Sequence, residues 1–386
     1  MSSNPQQTTP SGRRRARALG IPLDGRPGPN NAITDVAGVE VGYSTIIRGE
    51  GPLTVGHGPV RTGVTAILPR GHGGLAVPAF AGSFSLNGNG ELTGTIWIEE
   101  SGQCEGPITI TNTHSCGLAR DATLQWLVQK HPDLMPQWGL PVAGETYDGE
   151  LNDINGFHVT AEHVFEALDK AAPGPIELGS VGGGTGMICY EFKAGSGSAS
   201  RLVDMDAGGF TVGVFVQANF GRRGELIVAG IPVGRELTGG EVRSKPGGPG
   251  SSDLGPGGSV IAIVATDAPL LSHQLKRLAR RVGLGLARSG AVAHNGSGDI
   301  FLAFSTANGP ALEADEGPRQ ASFLSNEAMD PLFTAVVEAV DEAVLDSMVA
   351  NEAMVGRDGI EVPALPHDRL CAILERHGRL AATDGE

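Results

Sequence analysis

No stretch of this 386-residue chain is apolar for long enough to cross a bilayer, which argues against a helical membrane protein. Cysteine is scarce. Cys104, Cys116, Cys189 and Cys371 show no short paired spacing, so neither a zinc ribbon nor a disulfide framework can be read. Basic charge is in deficit: 28 Lys and Arg stand against 43 Asp and Glu, a formal net charge of −15 that opposes nucleic-acid binding and favours solubility. The one basic cluster, Arg13, Arg14, Arg15 and Arg17, follows a polar start with no apolar stretch behind it. It argues against a secretory signal and reads as a disordered, solvating tail over residues 1–17 of a cytoplasmic protein. The ten histidines include no H-E-x-x-H pair, against a zinc peptidase, and no internal repeat is visible.

Glycine is what the chain has in excess: 59 residues, about double the usual share, with no collagen period. Such a content suits tight turns and backbone packed closely against backbone or ligand. Short apolar runs between Gly/Pro signals predict strands at Val64–Leu68, Ile108–Thr111, Phe210–Gln217, Leu226–Pro232, Val260–Thr266 and Ile300–Ser305. Helical patterns run over Leu118–Gln129, Val159–Ala171, Ala328–Val355 and Pro366–His377. A further helix is expected to start at Asp267 and Pro269 and run to Arg288, Asp serving as N-cap and Pro suiting the first turn. Strands alternating with helices indicate an α/β or α+β class. The Gly/Pro-rich stretch from Lys245 to Gly258 is flanked by apolar strands on both sides, so it reads as a long loop inside one domain.

That loop ends in Gly257-Gly258-Ser259, two permissive glycines and then a hydroxyl at the first residue of an apolar strand. The junction suits self-cleavage, in which a serine hydroxyl attacks the carbonyl before it and water opens the resulting ester. The freed Ser259 would carry a hydroxyl nucleophile and, as its own base, an α-amine of pKa about 7.7–8.0. The same string also reads as a surface linker. Asn295-Gly296-Ser297-Gly298-Asp299 is a turn signal, or a site in which Ser297 and Asp299, two residues apart, face one side and support a nucleophile. Within Gly144–Gly149, an acidic loop, Glu145 is a candidate holder of a substrate ammonium and Tyr147 a candidate oxyanion donor. Asn219, just past Phe210–Gln217, is either a turn former or a second oxyanion donor. Cys116 lies where a helix N-terminus would lower a thiol pKa, but Thr113–Gly117 lacks the first Gly of G-x-S-x-G and Cys116 reads as core. Gly179–Gly186 has no Lys-Ser/Thr after it, so it reads as close backbone packing near the site, not a phosphate loop.

Taken in order, Asn31-Ala32-Ile33-Thr34-Asp35-Val36-Ala37-Gly38-Val39, Gly63-Val64-Thr65-Ala66-Ile67, Thr146-Tyr147-Asp148-Gly149, Leu151-Asn152-Asp153-Ile154, Gly257-Gly258-Ser259 and Gly296-Ser297-Gly298-Asp299-Ile300 form a set. With it the chain resembles the L-aminopeptidase/D-esterase and β-peptidyl aminopeptidase family from about Arg17 to His377. The resemblance implies an α+β, αββα four-layer sandwich like that of N-terminal-nucleophile hydrolases but connected differently. It implies a single domain over 18–378, cut at Gly258–Ser259 into a large subunit of residues 1–258 and a small one of 259–386. The two would stay associated and assemble into a tetramer of heterodimers. By the matching motifs Ser259 is the nucleophile, with Ser297 and Asp299 completing the catalytic group. Tyr147 and Asn219 supply the oxyanion site, and Glu145 binds the substrate amine. Family members vary between Glu and Asp at the position of Asp299. No metal or organic cofactor is needed to release small L-, D- or β-amino acids from peptides, amides and esters. Two rivals remain at this point: an acyltransferase of the ornithine-acetyltransferase type, which typically exposes Thr where this chain has Ser259, and a non-catalytic small-molecule-binding protein that kept the fold.

Overall fold

Alternation along each strand divides the apolar residues between two faces, and that division builds the molecule in layers. The computed structural model describes residues 4–134, 138–206, 208–238, 257–313 and 317–380. In chain order the elements are β1 (Glu40–Arg48), β2 (Val60–Leu68), β3 (Ala79–Gly88), α1 (Thr95–Ser101), β4 (Gln103–Cys104), β5 (Ile108–Asn112), α2 (Cys116–Lys130), β6 (Val142–Thr146), α3 (Ala161–Asp169), β7 (Ile188–Cys189), β8 (Phe192–Lys193), β9 (Ser196–Met205), β10 (Gly208–Asn219), β11 (Gly257–Thr266), α4 (Ser272–Arg288), β12 (Gly296–Ser305), α5 (Gly309–Glu313), α6 (Asp330–Val349) and α7 (His367–Arg376). One sheet has four strands in the order β1-β2-β5-β6, and a second has six in the order β4-β3-β12-β11-β10-β9. In the larger sheet β11 and β12 run parallel, and β10 and β3 flank them antiparallel.

Along β11, Val260, Ala262 and Val264 join the cluster packed under α4 and α6, whereas Ile261, Ile263 and Ala265 join the cluster between the sheets. The same split along β12 sends Phe301 and Ala303 to the helices and Ile300, Leu302 and Phe304 to the other sheet. On the four-stranded sheet, Val64, Ala66 and Leu68 of β2 pack with Trp126 of α2 and Val164 and Leu168 of α3. Trp126 Nε1 donates to Asp169 Oδ1 at 2.7 Å and ties α2 to α3. The order is therefore helices, sheet, sheet, helices: the αββα sandwich. Each fully buried Val, Leu, Ile or Phe contributes ~1.5–3 kcal/mol, and these clusters supply most of the driving force. Among the described residues no helix is long and apolar enough to cross a membrane.

The structure departs from the sequence reading in four places. Residues 4–17 are not a disordered tail. Arg15 sends Nε and Nη2 to Asp346 Oδ2 at 2.8 and 2.6 Å, and Arg17 grips both oxygens of Glu342 at 2.7 Å. Glu342 also takes Arg201 at 2.8 Å and Asn31 Nδ2 at 2.6 Å. Burial alone would push the Glu342 carboxyl up, but Arg201, Arg17 and Arg15 together hold it below its ordinary value. Arg15 and Arg17 of the basic cluster are thus matched to two buried carboxylates one turn apart on α6, a pattern invisible locally. Second, Leu226–Pro232 is not a strand but a tight turn closed by the Val228–Ile231 bridge, with Gly230 at φ 79°. Third, Asp267 does not cap α4, which starts at Ser272; its carboxylate accepts the Thr211 N–H at 2.7 Å instead. Fourth, the helix expected over Ala328–Val355 is shorter, Asp330–Val349. Most of the Gly/Pro-rich loop falls in 239–256, outside the described residues.

Removing one partner of a buried pair strands the other charge, at ~3–5 kcal/mol. Arg15→Gln is therefore expected to lower the free energy of urea unfolding by about that much. Arg15→Met with Asp346→Leu should recover only part of it, because the unpaired charge is gone but the Ala16 N–H and the carbonyls that Arg15 served are left without partners.

Candidate active site

Ser259 is the third residue of β11, paired with Asn219 on one side and Gly298 on the other. By alternation it continues the row of Ile261 and Ile263 and faces the other sheet. Its pairing partner Gly298 offers no side chain on that face, and a Cβ there would stand 2.3 Å from Asn89 O. Gly258, just before it, pairs with Ser297. Ser297 Oγ donates to Asp299 Oδ1 at 2.7 Å, and both side chains continue the row of Phe301 and Ala303 on the opposite face of the sheet. Ser297 and Asp299 therefore flank the Gly258–Ser259 peptide bond on the neighbouring strand, not the Ser259 hydroxyl face to face.

Asn219 is held at both ends of its amide. Nδ2 donates to Tyr147 O at 2.9 Å, and Oδ1 accepts the Ile188 N–H at 2.9 Å. One Nδ2 hydrogen remains for another acceptor. It is the Tyr147 carbonyl, not its hydroxyl, that meets Asn219. The half-exposed ring folds over Gly149, where a Cβ would stand 2.3 Å from the hydroxyl. Burial raises the Tyr147 pKa, with Glu150 adding and Arg357 opposing.

Glu145 ends up across the gap from Ser259's strand. Its Oε1 accepts the Glu91 N–H at 3.0 Å and its Oε2 accepts the Thr113 hydroxyl. Gly90 fills the space between: a Cβ there would be 3.1 Å from Glu145 Oε1 and 3.3 Å from Gly298 Cα. Two bonds leave the carboxylate with acceptor capacity for an ammonium group. Burial pushes the Glu145 carboxyl up; the bonds from Thr113 and Glu91 N–H pull it back only in part. Burial likewise raises Asp299, against its bond from Ser297 and the nearby His294.

Several contributors were not singled out from sequence. Asn87 and Asn89, at the end of β3, tie down the segment before Ser297 by donating to His294 O at 2.6 Å and Gly296 O at 2.8 Å. His294 O accepts the Ser297 N–H at 2.8 Å, and its ring lies 2.8 Å from Glu225. Gln217, on β10, reaches the other sheet through Thr111 O and Thr146 Oγ1. Its signal was present: a polar residue two before Asn219 at the end of an apolar run belongs to the same face. Gly179–Gly186 does pack closely here, since a Cβ on Gly183 would stand 2.5 Å from Ile110 O. All four cysteines are free, and burial, with Glu145 and Glu91 adding, pushes the Cys116 thiol up to about 12. A helix start does not make it reactive.

Comparison with known proteins bears on this arrangement. Residues 31–362 match the model of peptidase family S58. The chain is 51% identical to the β-peptidyl aminopeptidase BapA of Sphingosinicella microcystinivorans, over 95% of this chain and 93% of that one. It is 45% identical to the BapA of Sphingosinicella xenopeptidilytica, covering 94% and 91%. Among solved structures, the L-aminopeptidase D-Ala-esterase/amidase of Ochrobactrum anthropi superposes with a TM-score of 0.88 at 47% identity, covering 95% of this chain and 99% of that one. That protein is described as a prototype serine aminopeptidase and a variant of the Ntn hydrolase fold.

Asp148 next to Tyr147 carries a pH signature. Its buried carboxyl accepts Asn152 Nδ2 at 2.9 Å, and Oδ2 has no partner among the described residues. Burial raises it from 3.8 to about 7, against bonds from Thr62 and Asn152. Between those two values the folded chain holds a proton that the unfolded chain releases, so stability falls as pH rises through this window and levels off above it. Asp148→Asn removes that loss. Thermal unfolding should find the variant close to wild type near the lower limit and increasingly more stable towards about pH 8, by a few kcal/mol at most.

Proposed function

The chain belongs to peptidase family S58, and from that membership we propose a self-processing enzyme in which the bond before Ser259 is cut and Ser259 becomes the N-terminal nucleophile. It is an aminopeptidase of the N-terminal-nucleophile kind, as its relatives are. The acyltransferase alternative finds no support among them. The observation that carries the reading is strand register: Gly258 opposite Ser297, and Ser259 between Asn219 and Gly298.

In the precursor, Ser259 Oγ attacks the Gly258 carbonyl carbon, the C–N bond breaks, and the acyl group moves from nitrogen to oxygen. Water then hydrolyses the ester, leaving residues 1–258 and a new α-amine on Ser259. That amine emerges beside Ser297, whose hydroxyl is backed by Asp299. In catalysis Ser259 Oγ attacks the carbonyl of the substrate's first residue and passes its proton to this amine, beside which Ser297 stands. Asn219, with its remaining N–H, stabilises the tetrahedral oxyanion, and the Tyr147 hydroxyl joins it once the half-exposed ring swings off Gly149. The leaving amine takes the proton, and water releases the amino acid from Ser259. Glu145 holds the substrate's ammonium group, which restricts cleavage to the first residue. Substrates in this reading are peptides, amides and esters of small L-, D- or β-amino acids, consistent with the names its relatives carry.

The two pieces would remain together. The small fragment's β11 and β12 lie in the middle of the six-stranded sheet, with the large fragment's β10 and β3 on either side. Separation would break two full ladders. Assembly of these pairs into a homo-oligomer in the cytoplasm belongs to the same reading.

Denaturing mass spectrometry should find two wild-type pieces, the smaller starting at Ser259, and an intact chain for Ser259→Ala. An uncut wild-type chain would end the nucleophile assignment. Glu145→Gln should raise KM for an L-alanyl p-nitroanilide about 30-fold, the equivalent of ~2 kcal/mol for a lost buried charge partner, with a smaller change in kcat.

A further inference from the structure

The apolar side chains that join the two sheets elsewhere, among them Ile110, Phe215, Ile261 and Ile263, give way at the site to a polar bridge. Gln217 stands on β10 in register with Ile261, one rung inward from the Asn219–Ser259 pair. Its Nε2 donates to Thr111 O at 3.0 Å on β5 and to Thr146 Oγ1 at 2.7 Å on β6. Thr146 Oγ1 donates in turn to Met187 Sδ at 2.7 Å. Gln217, Thr111 and Thr146 are fully buried. Gln217 Oε1 has no partner among the described residues and abuts Gly183, where a Cβ would stand 2.3 Å away. The amide thus reaches the other sheet, and at Gly183 no side chain would fit beside its oxygen. Asn219 Nδ2 to Tyr147 O adds a second rung at 2.9 Å.

On the proposed mechanism this bridge lies between the groups that take the two ends of the substrate. Ser259, which meets the carbonyl, sits on the strand paired with Gln217's; Glu145, which meets the amine, immediately precedes Thr146. An α-amino acid has one carbon between amine and carbonyl, and a β-amino acid has two. The extra carbon lengthens that span by at most ~1.5 Å, one C–C bond. Apolar contact between sheets is non-directional and tolerates a slide of that size. Hydrogen bonds of 2.7–3.0 Å from a fully buried amide tolerate it poorly.

We infer that the Gln217–Thr146 bridge sets the distance between the amine site and the nucleophile, and so determines how the enzyme divides its activity between α- and β-amino N-terminal residues. This rests on Ser259 as nucleophile and Glu145 as amine site. Gln217 and Thr146 are positioning residues; neither touches the reacting atoms.

The test compares kcat/KM for β-alanyl and L-alanyl p-nitroanilides in wild type, Thr146→Val and Thr146→Ser. Val keeps the volume and loses the hydroxyl; Ser keeps the hydroxyl. One methylene is worth roughly 10–200-fold in discrimination, so Thr146→Val is expected to move the β-to-α ratio about tenfold. Thr146→Ser should retain the wild-type ratio. If Thr146→Val prevents assembly, Gln217→Asn, which keeps the amide but shortens its reach, gives the same readout. A variant in which both rates fall in step and the ratio stays put overturns the inference and leaves the bridge merely structural. Glu145→Gln, run alongside, separates the two failures. Unchanged KM there removes the amine site and the spacing argument with it, whereas raised KM with an unmoved ratio removes the spacing argument alone.

Discussion

The parallel pairing of β11 with β12 is the constraint from which the site follows. Parallel neighbours cannot be joined by a hairpin, so the chain crosses over through α4 on the outer face and returns to the same edge. Both strands therefore begin together, and Ser259 lies beside Gly298 although α4 separates them in sequence. The antiparallel flanks complete the convergence: β3 and β10 end where β11 and β12 begin, bringing Asn87, Asn89 and Gly90 from one side and Asn219 from the other. The second sheet contributes the ends of β5 and β6, with Thr113 and Glu145. Six strand ends meet at one edge of the sandwich.

At that edge the molecule accepts incomplete polar satisfaction. Most buried polar groups in folded proteins find partners. Yet Asp148 Oδ2, Gln217 Oε1 and Asp299 Oδ2 are buried without one among the described residues. Three carboxyl groups there, Glu145, Asp148 and Asp299, are raised above their ordinary values, each chiefly by burial. Perturbed acids concentrate where chemistry is done. The apolar clusters on either side of each sheet make this tolerable, because they hold the strands whether or not every polar atom is paired.

The buried ions at the other pole behave differently. There Arg201, Arg17 and Arg15 hold Glu342 below its ordinary value, whereas burial outweighs Arg15 at Asp346, one turn further along α6, and keeps that carboxyl above its own.

Local pattern was enough for the strands around Val64–Leu68, Ile108–Thr111, Val260–Thr266 and Ile300–Ser305, because alternation and β-branched runs are properties of neighbouring residues. It misled at Leu226–Pro232, whose apolar run closes as a turn, and at Asp267, whose carboxylate found a backbone N–H on β10. It failed at Arg13–Arg17, where charge density read as solvation and the partners lie on a distant helix. By itself the sequence determined the chemistry on offer: a hydroxyl after two glycines, a Ser-x-Asp pair, an acid and two amide or phenol donors in a recognisable order. Only the tertiary structure decided which of these meet. It turned the Tyr147 hydroxyl over Gly149 while seating its carbonyl on Asn219, set Ser297 beside the Gly258–Ser259 bond, and made Gln217 the span between sheets. Those contacts join residues far apart in the chain, and they exist only once strand register and sheet stacking are both in place.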